Sequence, residues 1–195
     1  MPFIGLTGGL GAGKSEALRS LKELGAATLS TDAVVHELLA SDELRDALVD
    51  RLGDGVAPGG ALDRSLIAER VFGDDEARAW LEGTLWPRVG ARVAAWRAAL
   101  EEADPRPRAT VVEVPLLFES GMDSAFDATI AVVADEGVRA ERAAARGHAG
   151  VAERAGRQLS QEEKSQRADF TVRNDGTIDE LKRSLSRVLA KIEPT

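Results

Sequence analysis

The chain has 195 residues, 44% hydrophobic and 30% charged, which suits one compact domain with a real core. A formal charge of −8 argues against non-specific nucleic-acid binding, which needs a basic surface, but leaves room for a local basic pocket. Without cysteine there are no disulfides, no thiolate catalysis and no cysteine metal site, and His36 and His148 alone are too few for zinc.

No apolar run approaches a membrane span, and the opening lacks the basic region and cleavage site of a signal peptide, so a cytoplasmic enzyme is expected. Phe3 to Thr7 suits a buried strand, and a glycine-rich turn follows it. From Ser15 to Leu24, apolar residues recur at helical spacing, and Gly25 stands where a helix C-cap belongs. Ala26 to Leu29 is expected to be a second strand, ending at Ser30-Thr31-Asp32. Strand, helix, strand is the start of a parallel, doubly wound sheet.

Residues from about Ala33 to Ala103 are mostly helical in pattern, broken by the turn-rich stretch Gly53 to Gly60. Leu38, Leu39, Leu44 and Leu48 suit one helical packing, Trp80, Leu81 and Leu85 another, and Val89, Val93 and Trp96 a third. Asp104-Pro105-Arg106-Pro107 is the clearest linker. Strands are then expected at Ala109 to Val114, at Ala128 to Ala134 and, briefly, at Thr171-Val172, before a terminal helix from Ile178 to Ile192.

Gly8-Gly9-Leu10-Gly11-Ala12-Gly13-Lys14-Ser15 has the spacing of a phosphate-binding P-loop. Its glycines let backbone N–H groups turn toward a β-phosphate, and the helix that follows presents its positive end. Lys14 supplies a cation for the β- and γ-phosphates, and Ser15 a hydroxyl for Mg²⁺. The strand before and the amphipathic helix after separate this motif from a chance glycine-rich turn.

A switch GTPase is disfavoured, because no Asn-Lys-x-Asp segment follows a late strand. Asp50-Arg51-Leu52-Gly53 has Asp-x-x-Gly spacing but ends a helical pattern. Asp32 lies just beyond the second strand, at the edge where open α/β sheets bind ligands. It either orients an attacking hydroxyl or caps the helix starting at Ala33. Arg139, Arg142 and Arg146 share one helical face; they form either a basic lid over ATP or a solvated face paired with Glu136, Glu141 and Glu153.

Further segments extend the pattern: Ala61-Leu62-Asp63-Arg64 with Val71-Phe72, and Val112-Glu113-Val114-Pro115-Leu116-Leu117-Phe118-Glu119. Downstream come Gln158 to Lys164, Arg167-Ala168-Asp169-Phe170 and Asn174-Asp175-Gly176. With the P-loop, these resemble, in order across nearly the whole chain, the dephospho-coenzyme A kinase family.

The resemblance implies an α/β, three-layer P-loop kinase fold with a parallel-sheet core, a helical acceptor-binding insertion and an arginine-rich lid. The core would comprise 1–32 and 105–195, with the lid at about 138–166, and the insertion 33–104. It implies ATP-dependent phosphorylation of the 3′-hydroxyl of dephospho-coenzyme A, the last step of coenzyme A biosynthesis, without nucleic acid or membrane as partner. By position, Gly8 to Ser15, Arg142 and Asn174 would bind ATP, and Ser15 would hold Mg²⁺. Lys14, Asp32, Arg142 and Arg146 would be catalytic, with Arg142 and Arg146 preferred over Arg139. Asp32, Arg64, Trp86, Leu116 and Glu119 would meet the acceptor, with Pro115 shaping the turn that sets Leu116 and Leu117 against the insertion.

The chain departs from the family at three places. Ser30-Thr31 precedes Asp32 where the family often carries a further carboxylate, Leu85-Trp86-Pro87 stands where it commonly has His before Pro, and Arg139 replaces a more usual Gln. Indole takes up no proton, so Trp86 either holds the acceptor differently or belongs to the core. Glu113 is either a magnesium partner or a cap for a neighbouring loop. The rivals are a nucleoside monophosphate kinase and an ATP-binding protein that has lost catalysis.

Overall fold

The computed structural model describes residues 1–145 and 158–192. The described chain divides into two compact units, one comprising 1–30 and 97–192, the other 31–96.

The first unit is built on a five-stranded sheet: β1 (Phe3–Gly8), β2 (Ala27–Ser30), β3 (Thr110–Glu113), β4 (Ala128–Val133) and β5 (Phe170–Arg173). All neighbours are parallel, in the order β2-β3-β1-β4-β5. β1, β3 and β4 are buried throughout, as expected of strands covered on both faces. The two faces of β1 part by alternation. Ile4 and Leu6 join Ala17 and Leu21 of helix α1 (Lys14–Glu23) and Leu181, Leu185 and Leu189 of the terminal helix, Ile178–Ile192. The opposite face carries Phe3, whose ring lies 4.5 Å from that of Phe126 and 4.4 Å from the Arg97 guanidinium.

Gly5 shows why this second face packs so closely. A Cβ there would meet Phe126 at 3.0 Å and Leu117 at 3.1 Å. Leu117 is fully buried and packs over β1 of its own sheet.

The second unit contains helices α2 (Thr31–Leu39), α3 (Asp42–Leu52) and α4 (Arg64–Val71) and most of α5 (Asp75–Glu101). Its core comprises Leu44, Leu48, Leu52, Val56, Ile67 and Ala77, with Leu38, Leu39, Trp80, Leu81 and Leu85 packed around them. The residues of the supposed switch motif end α3, with Gly53 as its cap. The two helical patterns expected on either side of Trp86-Pro87 are one helix, since α5 runs through Pro87. Proline removes a backbone donor inside a helix. The carbonyl deprived of its donor is that of Gly83, four residues back, and one residue on the Arg88 guanidinium donates to the Thr84 carbonyl at 2.9 Å.

Two further helices complete the described chain: α6 (Glu136–Ala145) and α7 (Gln161–Arg167), which makes the terminal helix, Ile178–Ile192, α8. Both α7 and α8 begin with a capping box. Ser160 exchanges bonds with Glu163, and Thr177 with Glu180.

Candidate active site

Strand order locates the site. From β1 the chain crosses toward β2, and from β3 it crosses to β4 on the other side, so the loops after β1 and β3 flank a topological switch point. Ligands of open parallel sheets bind at the carboxyl ends of strands at such a point. Here these loops are the P-loop and the segment Val114 to Glu119.

The P-loop is a short, closed turn: the Ala12 amide donates to the Gly9 carbonyl at 3.2 Å, and α1 starts from Gly13. Gly13 has φ of 93° and ψ of 30°, left-handed backbone that costs other residues about 1–2 kcal/mol. A Cβ there would also collide with the Asn174 side-chain amide. Lys14 folds back along the loop, its Nζ 3.0 Å from the Gly8 carbonyl and 3.3 Å from that of Gly9. Its ammonium is 4.0 Å from Glu113 Oε1, and Glu113 Oε2 accepts a 2.8 Å bond from the Ser30 hydroxyl. Glu113 closes β3, in register with Leu6 of β1 and Ser30 of β2. Ser15 is exposed in the first turn of α1.

Helix α6 and the end of β5 brace the loop. Arg139 donates through Nε to the Leu10 carbonyl at 2.9 Å, and Arg142 through Nη1 to the Asn174 carbonyl at 2.9 Å. Asn174, itself buried, donates its amide to the Ala12 carbonyl at 2.8 Å. Two of the three face-sharing arginines therefore turn toward the P-loop side, not onto an acidic solvated face. Arg146 lies outside the described residues, as do Glu153 and His148.

Of the remaining expected residues, Leu116 is half-buried beyond β3. Glu119 Oε1 is taken up within the protein, accepting from the Leu159 amide at 2.8 Å and from Lys164 at 3.0 Å. In the second unit, Asp32 is exposed in the first turn of α2. The helix begins at Thr31, so Asp32 is not its N-cap, which corrects one of its two possible roles. Arg64 opens α4, with Asp63 as cap, and lines a pocket of about 290 Å³ with His36, Arg45 and Leu62. Trp86 is half-buried along α5.

Sequence reasoning gave Lys164 no role, and ranked Arg139 below its neighbours. The signals were present but weak: Arg139 follows a strand by one helical turn, and Lys164 lies in a helix announced by the Ser160–Glu163 box.

The model of the dephospho-CoA kinase family matches residues 2–180. A dephospho-CoA kinase of Deinococcus radiodurans is 40% identical, covering 98% of this chain and 93% of the relative. One from Protochlamydia amoebophila is 38% identical, covering 97% and 96% respectively. Among solved structures, TT1252 from Thermus thermophilus superposes with a TM-score of 0.82 at 32% identity, over 99% of this chain and 98% of that one. The dephospho-CoA kinase from Campylobacter jejuni, at 24% identity and a TM-score of 0.69 over 98% and 96%, shares the fold.

Proposed function

The chain belongs to the dephospho-CoA kinase family, with ATP-dependent phosphorylation of dephospho-CoA as its reaction, and we propose that Lys14, Ser15, Asp32, Arg142 and Arg146 perform it. The observation that supports this most is the P-loop geometry, with Lys14 held along the loop between the Gly8 carbonyl and Glu113.

The loop amides and the α1 N-terminus bind the phosphates of ATP, and Lys14 exchanges its carbonyl contacts for the β- and γ-oxygens. Ser15 and Glu113 offer hard oxygens, a donor set that fits magnesium. When bound, magnesium neutralises charge on the phosphates. Asp32 orients the 3′-hydroxyl of the acceptor and accepts its proton. Arg142 commits one donor to Asn174 and keeps others for the transferred group. Arg146 joins it on the strength of the family resemblance, and so do Arg64, Trp86 and Leu116 as acceptor contacts. Arg64 has in addition an open pocket beside it. No described helix is long and apolar enough to cross a membrane, and a cytoplasmic location is part of the same proposal.

A coupled ADP-release assay with MgATP tests the assignment. Turnover is expected with dephospho-CoA and not with AMP or adenosine, and Lys14→Ala is expected to abolish it. Asp32→Asn is expected to lower kcat by about 10²–10⁴-fold while leaving ATP affinity unchanged. A wild-type kcat in Asp32→Asn removes Asp32 from the reaction.

A further inference from the structure

Lys164 is 0% exposed, and the chemistry just described makes no use of it. Lysine is almost never fully buried unless paired. Its ammonium lies 2.6 Å from the Pro115 carbonyl, 3.0 Å from Glu119 Oε1 and 3.4 Å from Thr7 Oγ1, giving three acceptors for three N–H donors. Burial lowers its pKa, and the bond and charge of Glu119 oppose that shift.

The placement of the acceptors matters more than their number. Thr7 stands on β1 immediately before the P-loop, and its hydroxyl lies 3.3 Å from the same Pro115 carbonyl. Pro115 and Glu119 both belong to the loop after β3. Glu119 also receives the Leu159 amide, just before α7. In α7, Gln161 bonds both the amide and the carbonyl of Ala134 beyond β4, at 3.0 and 2.9 Å. One buried cation thus ties together the end of β1 that leads into the P-loop, the loop after β3 and the segment leading into α7.

Stability alone gives a weak reason for a lysine here. Replacing a buried ion pair with apolar side chains of similar volume is often neutral or stabilising. An apolar chain cannot fix the direction of the Pro115 carbonyl and the Thr7 hydroxyl.

We propose that Lys164, together with Glu119, is a positioning residue for phosphoryl transfer, setting the spacing of the P-loop and the Pro115–Glu119 loop around the reacting groups. The proposal rests on the reaction taking place at the P-loop. Since a displacement of about 1 Å can cost about 10²-fold in rate, a side chain that fixes this spacing acts on kcat without touching substrate.

The test uses the full chain with MgATP and dephospho-CoA. Glu119 Oε2 is buried and has no partner among the described residues, so Lys164→Met alone would strand a carboxylate. The variant is therefore Lys164→Met with Glu119→Gln, which removes both charges. It is expected to keep its melting temperature and ATP affinity while losing about 10²-fold in kcat. Thr7→Val, close in shape and β-branched for the strand, deletes one hydroxyl. It is expected to lower kcat by about 3- to 10-fold with KM unchanged. A wild-type kcat in either variant when folded overturns the proposal, because a purely structural bond would leave the kcat of folded protein unmoved. Lys14→Ala serves as the separate control: turnover in that variant refutes the P-loop assignment and leaves the Lys164 comparison to stand by itself.

Discussion

At the residue scale the site depends on backbone direction as much as on side-chain chemistry. Gly13 starts α1 in the left-handed region, and the space a Cβ would need is held by Asn174. Gly13→Ala is therefore expected to distort the loop at the position where it meets phosphate. Calorimetry should show ATP affinity falling by about 10-fold or more, the cost of about 1–2 kcal/mol of backbone strain with nothing gained. The letters of this loop were legible in the sequence because each glycine and Lys14 answers a local demand. Lys164 was not legible, because Thr7, Pro115 and Glu119 are remote in the chain and only the fold brings them to it. Asn174 was marked out by the family resemblance, but its bond to Ala12, which spans most of the sequence, was not.

At the scale of elements, local signals served well where they were local. The terminal helix begins at Ile178 and ends at Ile192, as its periodicity predicts, and its start is fixed by the Thr177–Glu180 exchange. The strands fall within a residue or two of their apolar runs. The helical pattern from Ala33 to Ala103 also holds through Pro87, although a proline inside a helical pattern usually ends or kinks it. Thr177→Ala is expected to lower stability by about 1 kcal/mol, seen as a fall of roughly 2–4 °C in the circular-dichroism melt. The caps also carry a pH dependence. Bonds from the backbone N–H and then the hydroxyl of Thr177 hold the Glu180 carboxyl below its ordinary value, and Ser160 does the same for Glu163. Each such carboxylate contributes stability that is present above its unfolded pKa, near 4.5, and is lost as pH falls through the lower folded value. Acid titration of a Glu180→Gln variant should accordingly show a shallower loss than the parent chain over that range.

At the scale of the whole molecule, the sequence signalled parallel strands and a helical insertion, while strand order is not written in any local pattern. The sheet places β1, first in the chain, between β3 and β4, and that arrangement has a consequence for how the protein is made. Residues 3–8 leave the ribosome early, yet their partners at 110–113 and 128–133 appear only after the whole of 31–96 has been synthesised. The insertion, by contrast, is continuous in sequence and has an apolar core of its own. Loop-closure entropy must be met before distant strands reward it, and domains generally fold as units during synthesis. The helical insertion should therefore acquire structure on the nascent chain while the central strand waits unpaired. Pulse-labelled hydrogen exchange on stalled chains would show protection in 44–77 before any in 3–8, and the reverse order would refute it. A chain stalled before residue 110 is accordingly expected not to hold ATP, because β1 and the P-loop that follows it still lack their sheet partners.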